Sequence, residues 1–251
     1  NLQFSSAGLT GTSSANISIS PAAVASIVLD TQPVGGVTSQ ALSVQPIAKL
    51  LDRFGNLVTT DNSTQVSVSM VAGPTRPGGA AAVVGGTTTV TVQGGIATFT
   101  GVKLVGTPGV DYVLEFTNAN PSLTSTASSA MRVVHNVADH IEITQAAANG
   151  RAGTRFSTQP IITVRDRYDN AVTSGPGSDA LVTVDAAITA QAGTVLGTPL
   201  AISPSNAEVA AVNGVATFDS LTISGLVSNT YALTYSLDLA GIASQTQSNV
   251  T

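Results

Sequence analysis

Across Gln65–Met70, Val66 and Val68 alternate with Ser67 and Ser69. This period of two marks a strand with one face in a core and the other in water. Short runs of this kind recur along the chain, bounded by Gly, Pro, Asn and Asp. They predict strands at Ser26–Leu29, Ile47–Leu51, Gln65–Met70, Thr88–Val92, Ile96–Thr100, Tyr112–Phe116 and Ala130–Val134. A second series follows at Ile141–Thr144, Ile161–Arg165, Leu181–Val184, Glu208–Val212, Val215–Asp219, Tyr231–Tyr235 and Thr246–Thr251. Small β-branched residues punctuated by turn formers read as strands, and surface helices would need far more Glu, Lys and Arg.

The two series are copies of one repeat. Gln45-Pro46-Ile47 returns as Gln159-Pro160-Ile161, and Asp52-Arg53-Phe54-Gly55-Asn56 as Asp166-Arg167-Tyr168-Asp169-Asn170, both 114 positions later. Gly95-Ile96-Ala97-Thr98-Phe99 returns as Gly214-Val215-Ala216-Thr217-Phe218, and Tyr112–Phe116 as Tyr231–Tyr235, now 119 positions later. A net five-residue insertion therefore lies between Asn170 and Gly214. Leu2-Gln3-Phe4 matches Leu114-Glu115-Phe116, Leu9 matches Leu123, and Ile17 and Ile19 match Met131 and Val133. Roughly seven short strands in about 115 residues is the size and count of an immunoglobulin-like sandwich. The expected fold is all-β, with tandem immunoglobulin-like antiparallel β-sandwich domains. Residues 1–20 read as the C-terminal hairpin of a preceding repeat, 21–135 as one repeat, and 136–251 as a second, cut inside its last strand. The expectation is a window from a longer array. Ser20–Val24 and His135–Asp139 are short junctions, so the array should behave as a jointed rod.

Composition narrows the function. Of 251 residues 43% are hydrophobic, 4% aromatic and 9% charged, with about 60 Ser plus Thr. Nine basic against 14 acidic residues give a net charge of −5, against the basic patch of a nucleic-acid binder. No apolar run reaches the ~18 residues of a membrane span. With no Cys, disulfides and thiolate metal sites are excluded, and two His leave few general bases. The acids are scattered, no Gly-x-Ser-x-Gly elbow occurs, and Gly78-Gly79-Ala80 and Gly85-Gly86 precede strand-like sequence rather than a helix. No enzyme activity and no required cofactor are expected.

Two readings stand for Asp52 and Asn56 and for Asp166, Asp169 and Asn170. An Asp and an Asn can brace a tight turn with their side chains, or hard oxygen ligands can bind calcium. The turn reading needs no further ligand and is preferred, since one or two acids per site is thin for a dehydrated ion. Gly95 and Gly214 each open a strand whose Phe99 or Phe218 points to the core. Tyr112 and Tyr231 each open the penultimate strand after a loop, as in a tyrosine corner. His135 and His140 flank the second junction and read as solvated linker residues. Asn16-Ile17-Ser18, Asn62-Ser63-Thr64 and Asn249-Val250-Thr251 are N-glycosylation triplets.

The order Asp-x-x-Gly-Asn, Gly-x-Ala-Thr-Phe, Gly-x-x-Tyr-x-Leu-x-Phe and a Thr/Ser-rich last strand resembles the bacterial immunoglobulin-like repeats of invasin/intimin-type adhesins and prokaryotic surface-layer proteins. In the second copy Asp169 stands where that pattern has Gly. The resemblance implies a secreted protein of the cell surface whose repeats act as spacers, lattice units or stalks. The first expectation is a structural segment of a surface layer, sheath or filament, whose partners are copies of itself. Two alternatives stand beside it. One is the stalk or binding region of an adhesin that meets a host or surface glycan through loops such as Val71–Gly86 or Ser174–Asp179. The other is an accessory module of a secreted polysaccharide-degrading enzyme. Trp is absent and Tyr scarce, which weakens both, because binding hot spots favour Trp, Tyr and Arg.

Overall fold

The structure is a computed structural model that describes residues 1–71, 81–119, 123–148, 150–190, 201–203, 207–224 and 230–250, with the backbone alone for 184–190 and 201–203. Every described element is a strand. A hairpin of β1 (Gln3–Phe4) and β2 (Thr12–Ser13) comes first. The first copy then holds β3 (Val24–Thr31), β4 (Ile47–Asp52), β5 (Gln65–Met70), β6 (Val83–Gly85), β7 (Thr89–Thr91), β8 (Ile96–Thr98), β9 (Lys103–Val105), β10 (Leu114–Thr117) and β11 (Thr126–Ala127). The second holds β12 (Ala138–Gln145), β13 (Ile161–Asp166), β14 (Leu181–Ala190), β15 (Ala201–Ser203), β16 (Ala207–Ala210), β17 (Val215–Thr217), β18 (Thr222–Ser224), β19 (Thr230–Leu237) and β20 (Gln245–Val250).

All ladders between these strands are antiparallel, and the sheets match copy for copy. Order β3-β4-β8 recurs as β12-β13-β17, β11-β10-β5-β7 as β20-β19-β14-β16, and β6-β9 as β15-β18. Register matches as well: Phe4 faces Thr12, Phe116 faces Thr126, and Tyr235 faces Gln245. The five-residue insertion divides in two. Val66 pairs with Val90, as Val182 pairs with Val209. The offset is thus already 116 at Val182, so two extra residues precede β14 and three lie between β14 and β16.

Each copy has its own core. In the first, Ile27, Ala48, Leu50 and Ala97 of one sheet meet Val66, Val68, Leu114 and Phe116 of another. In the second, Ile141, Ile162 and Ala216 meet Val182, Leu233 and Tyr235. Phe99 stands edge-on to Phe116 at 5.5 Å and 72°, and Phe218 lies tilted to Tyr235 at 6.1 Å and 59°. Few aromatics suffice because alternating Val, Ile and Leu supply most of the buried surface. The β1–β2 hairpin contrasts with its counterparts. Leu2, Phe4 and Ile17 are exposed, whereas Leu114, Phe116 and Met131 are buried.

Several observed strands outrun their expected bounds, β14 by six residues and β3 and β12 by four each, and other departures change the pairing. The run expected at Ala130–Val134 is replaced by isolated bridges at Met131 and Val134, and the ladder forms earlier as β11. Ser128 causes the break: its hydroxyl accepts the Leu114 N–H at 3.0 Å, where a ladder carbonyl would stand. Tyr112 forms a bridge to Met131, and its strand begins only at Leu114. The β6–β9 and β15–β18 pairs are not among the expected strands.

Candidate functional site: the junction between the copies

The Asp-Arg-aromatic-x-Asn turn ends the second strand of each copy. In the first, Asp52 Oδ1 accepts the N–H groups of Phe54 and Asn56, each at 2.9 Å. Its Oδ2 accepts Asn56 Nδ2 at 3.1 Å and the N–H of Ala22 at 2.9 Å. The second copy repeats this. Asp166 Oδ1 accepts Tyr168 N–H and Asn170 N–H, and Oδ2 accepts the N–H of Asn136 at 2.8 Å. Each Asp therefore does more than brace its own turn: it clasps the residue at which its copy begins. Burial raises the Asp52 carboxyl pKa, and the bonds from Ala22, Asn56 and Phe54 outweigh that and hold it at about 2.

This donor set does not fit calcium. Both oxygens of Asp52 and of Asp166 face N–H groups, which repel a cation, while calcium needs 6–8 oxygen ligands. Among the described residues no group of three or more His, Cys, Asp or Glu could hold a metal ion. Asp169 takes φ 64, the left-handed conformation that Gly55 takes at φ 82. The turn therefore keeps its shape without glycine, and the Asp169 carboxylate lies 3.4 Å from His140 Nε2.

The same turn joins the copies. The Tyr168 hydroxyl donates to Ser39 Oγ of the first copy and accepts from Arg167, whose guanidinium lies 4.8 Å from the Tyr168 ring centre. His135 Nδ1 lies 2.7 Å from the Asn136 carbonyl oxygen, and Nε2 accepts the N–H of Ser174 at 3.1 Å. The carbonyl can only accept and the backbone N–H can only donate, so these two contacts match a ring that carries its proton on Nδ1. His135 is a structural member of the junction, not a solvated linker residue. Thr107–Gly109, Arg132–His135, Arg165 and Thr173–Ser174 line a cleft of about 530 Å³ between the copies. Its two arginines are engaged, Arg132 with Asp111 and Arg165 with Glu142. The loop Ser174–Asp179, considered above as a ligand contact, begins in this junction. Residues 72–80 of the other such loop lie outside the described residues, as does the Gly78–Ala80 run.

The remaining singled-out residues hold shape. Gly95 and Gly214 sit at φ 78 and 76, and a Cβ there would lie 2.5 Å from Val58 O and 2.4 Å from Val172 O. Phe99 and Phe218 are buried. Tyr112 is buried, its hydroxyl accepting Thr107 N–H at 2.6 Å and donating to Thr107 O at 3.2 Å. Tyr231 is buried at the matching position. Asn16, Asn62 and Asn249 are all exposed, while Thr251 of the last triplet lies outside the described residues. Sequence reasoning noticed Gln45 and Gln159 only as part of a repeated triplet. Gln45 Nε2 donates to Leu42 O and Val102 O while Oε1 accepts Val102 N–H. Gln159 makes the same three bonds to Phe156 and Leu221. Return of a long amide ahead of a buried strand, at an unchanged offset, was the available signal.

No protein-family model matches the chain, and no curated protein matches it in sequence. Among solved structures it is similar to the adhesin InvE of Yersinia pseudotuberculosis at 15% identity and TM-score 0.31, over 88% of this chain and 58% of that one. It is also similar to a β-glycosidase from Bacteroides vulgatus at 9% identity and TM-score 0.34, over 90% of this chain and 24% of that one. A β-glucuronidase of Parabacteroides merdae matches at 9% identity and TM-score 0.30, over 93% of this chain and 25% of that one. The chain thus spans about a quarter of the glycosidase chains and just over half of the adhesin.

Proposed function

We propose that the chain is a rod-like spacer of tandem immunoglobulin-like β-sandwich domains in an extracellular, cell-surface assembly such as a surface layer, sheath or filament. Its units are residues 21–135 and 136–251, with 1–20 as the closing hairpin of a further unit. The observation that carries this reading is the junction. Tyr168–Ser39, His135–Ser174 and the bond from Asn136 Nδ2 to Thr38 O at 3.5 Å are specific contacts that restrain the angle between the copies. A flexible linker would not need them. The bonds of Asp52 and Asp166 and the burial of Phe99, Phe218 and Tyr112 support a shape-holding role for these residues. The low charge also suits close packing of copies, since self-repulsion is small.

Small-angle X-ray scattering of the 251-residue chain tests the spacer role. A single elongated particle is expected, with a maximum dimension independent of salt. A broad ensemble of inter-unit angles would overturn it. An antibody raised against the chain should label intact, unpermeabilised cells of its source, and labelling only after permeabilisation would overturn the surface location.

A further inference from the structure

The first and last segments of copy one lie side by side and run the same way. At one end Ile27 N–H donates to Thr124 O at 3.2 Å and Thr124 N–H to Ala25 O at 3.4 Å. At the other, Thr38 N–H donates to Val134 O at 2.8 Å and Val134 N–H to Gly36 O at 2.9 Å. The bridges Ser26–Thr124 and Val37–Val134 are both parallel. Between them Gln32 Oε1 accepts Ser129 N–H at 3.0 Å. The backbones approach so closely that a Cβ on Gly35 would lie 1.7 Å from Arg132 O. Copy two spans the same gap from the opposite side. Gln247 of its last strand accepts Ala147 N–H at 2.9 Å and donates to Ala147 O at 2.7 Å. Pro33 stands where copy two has Ala147, and it has no N–H to give. In copy one the bridging amide therefore comes from the first segment.

The direction of this seam decides how it meets a pull. Tension along the array enters copy one ahead of Val24 and leaves it beyond Val134. In a parallel pair the start of one strand and the end of the other lie at opposite ends. The pull therefore runs along the seam, and its bonds are loaded together in shear. Were the two segments antiparallel, both points would lie at one end and the bonds would open singly. We infer that this seam is a tension clamp, by which copy one carries load along the array without unfolding. The inference rests on the spacer reading for the direction of the load and goes beyond it, since a spacer need only hold distance. Both ends of the seam are tied in. Asp52 holds Ala22 N–H just upstream, and Asn136 Nδ2 and Tyr168 reach Thr38 O and Ser39 at the junction.

Single-molecule stretching of the full chain tests the clamp. The protein has no cysteine, so handles attach cleanly at introduced ones. Ala23, Ser125 and Val137 are all exposed. Handles at Ala23→Cys and Val137→Cys stretch copy one alone along the seam, and its unfolding releases roughly 35 nm of chain. Handles at Ala23→Cys and Ser125→Cys pull at one end of the seam and peel it. At equal pulling speed the force along the seam should exceed the peeling force at least about twofold, because forced unfolding follows the barrier along the pulled direction. Gln32→Ala, an exposed site that leaves the core intact, should lower the force along the seam by roughly a fifth, one of five bonds loaded together. Equal forces in the two directions, a larger peeling force, or an unchanged force in Gln32→Ala would each overturn the clamp. If the clamp fails while scattering shows a single elongated particle, the spacer reading stands. If the force difference holds while scattering shows a broad ensemble, the rigid rod falls and the clamp stands.

Discussion

Tyr235 carries the one hydroxyl in the described core of the second copy that has no partner. The residue is fully buried and its Oη meets no donor or acceptor, whereas the matching residue of the first copy is Phe116. An unmet buried hydroxyl costs about 1–3 kcal/mol, and removing one oxygen leaves a void that returns only a few tenths. Tyr235→Phe should therefore stabilise the second copy by about 1–2 kcal/mol, and each kcal/mol raises the midpoint of a unit near 100 residues by roughly 4 °C. Phe116→Tyr should destabilise the first copy by about 1–3 kcal/mol. Calorimetry gives the size, and hydrogen exchange of peptides from β14 and β19 assigns it to the second copy. Alkali supplies an independent check. Burial pushes the Tyr235 phenol well above its ordinary pKa of 10, so above pH 10 the unfolded chain loses this proton while the folded chain keeps it. Stability then falls as pH rises past 10, and that fall should shrink in Tyr235→Phe. A loss of 1 kcal/mol or more in Tyr235→Phe, with the alkaline fall unchanged, would refute the reasoning.

Gly95→Ala and Gly214→Ala combine a left-handed backbone with a Cβ driven to within 2.5 Å of a carbonyl oxygen, so each should cost its own copy roughly 2–4 kcal/mol in urea unfolding. Gly8→Ala has positive φ but nothing within 4 Å, so it should cost no more than about 1 kcal/mol. Tyr112→Phe removes two hydrogen bonds to Thr107 and should lower stability by about 1–2 kcal/mol, seen as faster exchange at Thr107 N–H. Asp52 is held at about 2 against an ordinary 3.8, so its contribution is complete above pH 4 and is lost as pH falls towards 2. Asp61 and Asp111 are lowered in the same direction and add to the loss. Acid melts should show this slope reduced in Asp52→Asn, and an equal slope in both would contradict the clasp.

What the sequence displayed of the fold was whatever is local or repeated. Val66 and Val68 announced their strand through alternation, and Gly95 and Gly214 announced a turn through their recurrence. The short pairs β6–β9 and β15–β18 escape the sequence pattern, and their partners lie about 20 residues apart along the chain. Ser128 hid for a different reason. A side chain that replaces a ladder acceptor looks, in sequence, like any other residue of a Thr/Ser-rich strand.

The junction shows most clearly where sequence reasoning stops. The Asp-Arg-aromatic-x-Asn run stands out in the sequence, and in the structure it forms the turn that ends β4 and β13. Three facts about it were out of reach. Asp52 and Asp166 spend one oxygen on a residue 30 positions upstream, His135 Nε2 accepts the Ser174 N–H, and Tyr168 reaches Ser39 across the copies. All three are long-range, and each uses an ordinary residue type. Comparing the copies recovers part of what single positions conceal. Tyr168, which meets Ser39, stands where the first copy has Phe54, and Ser39 stands where the second copy has Gly153.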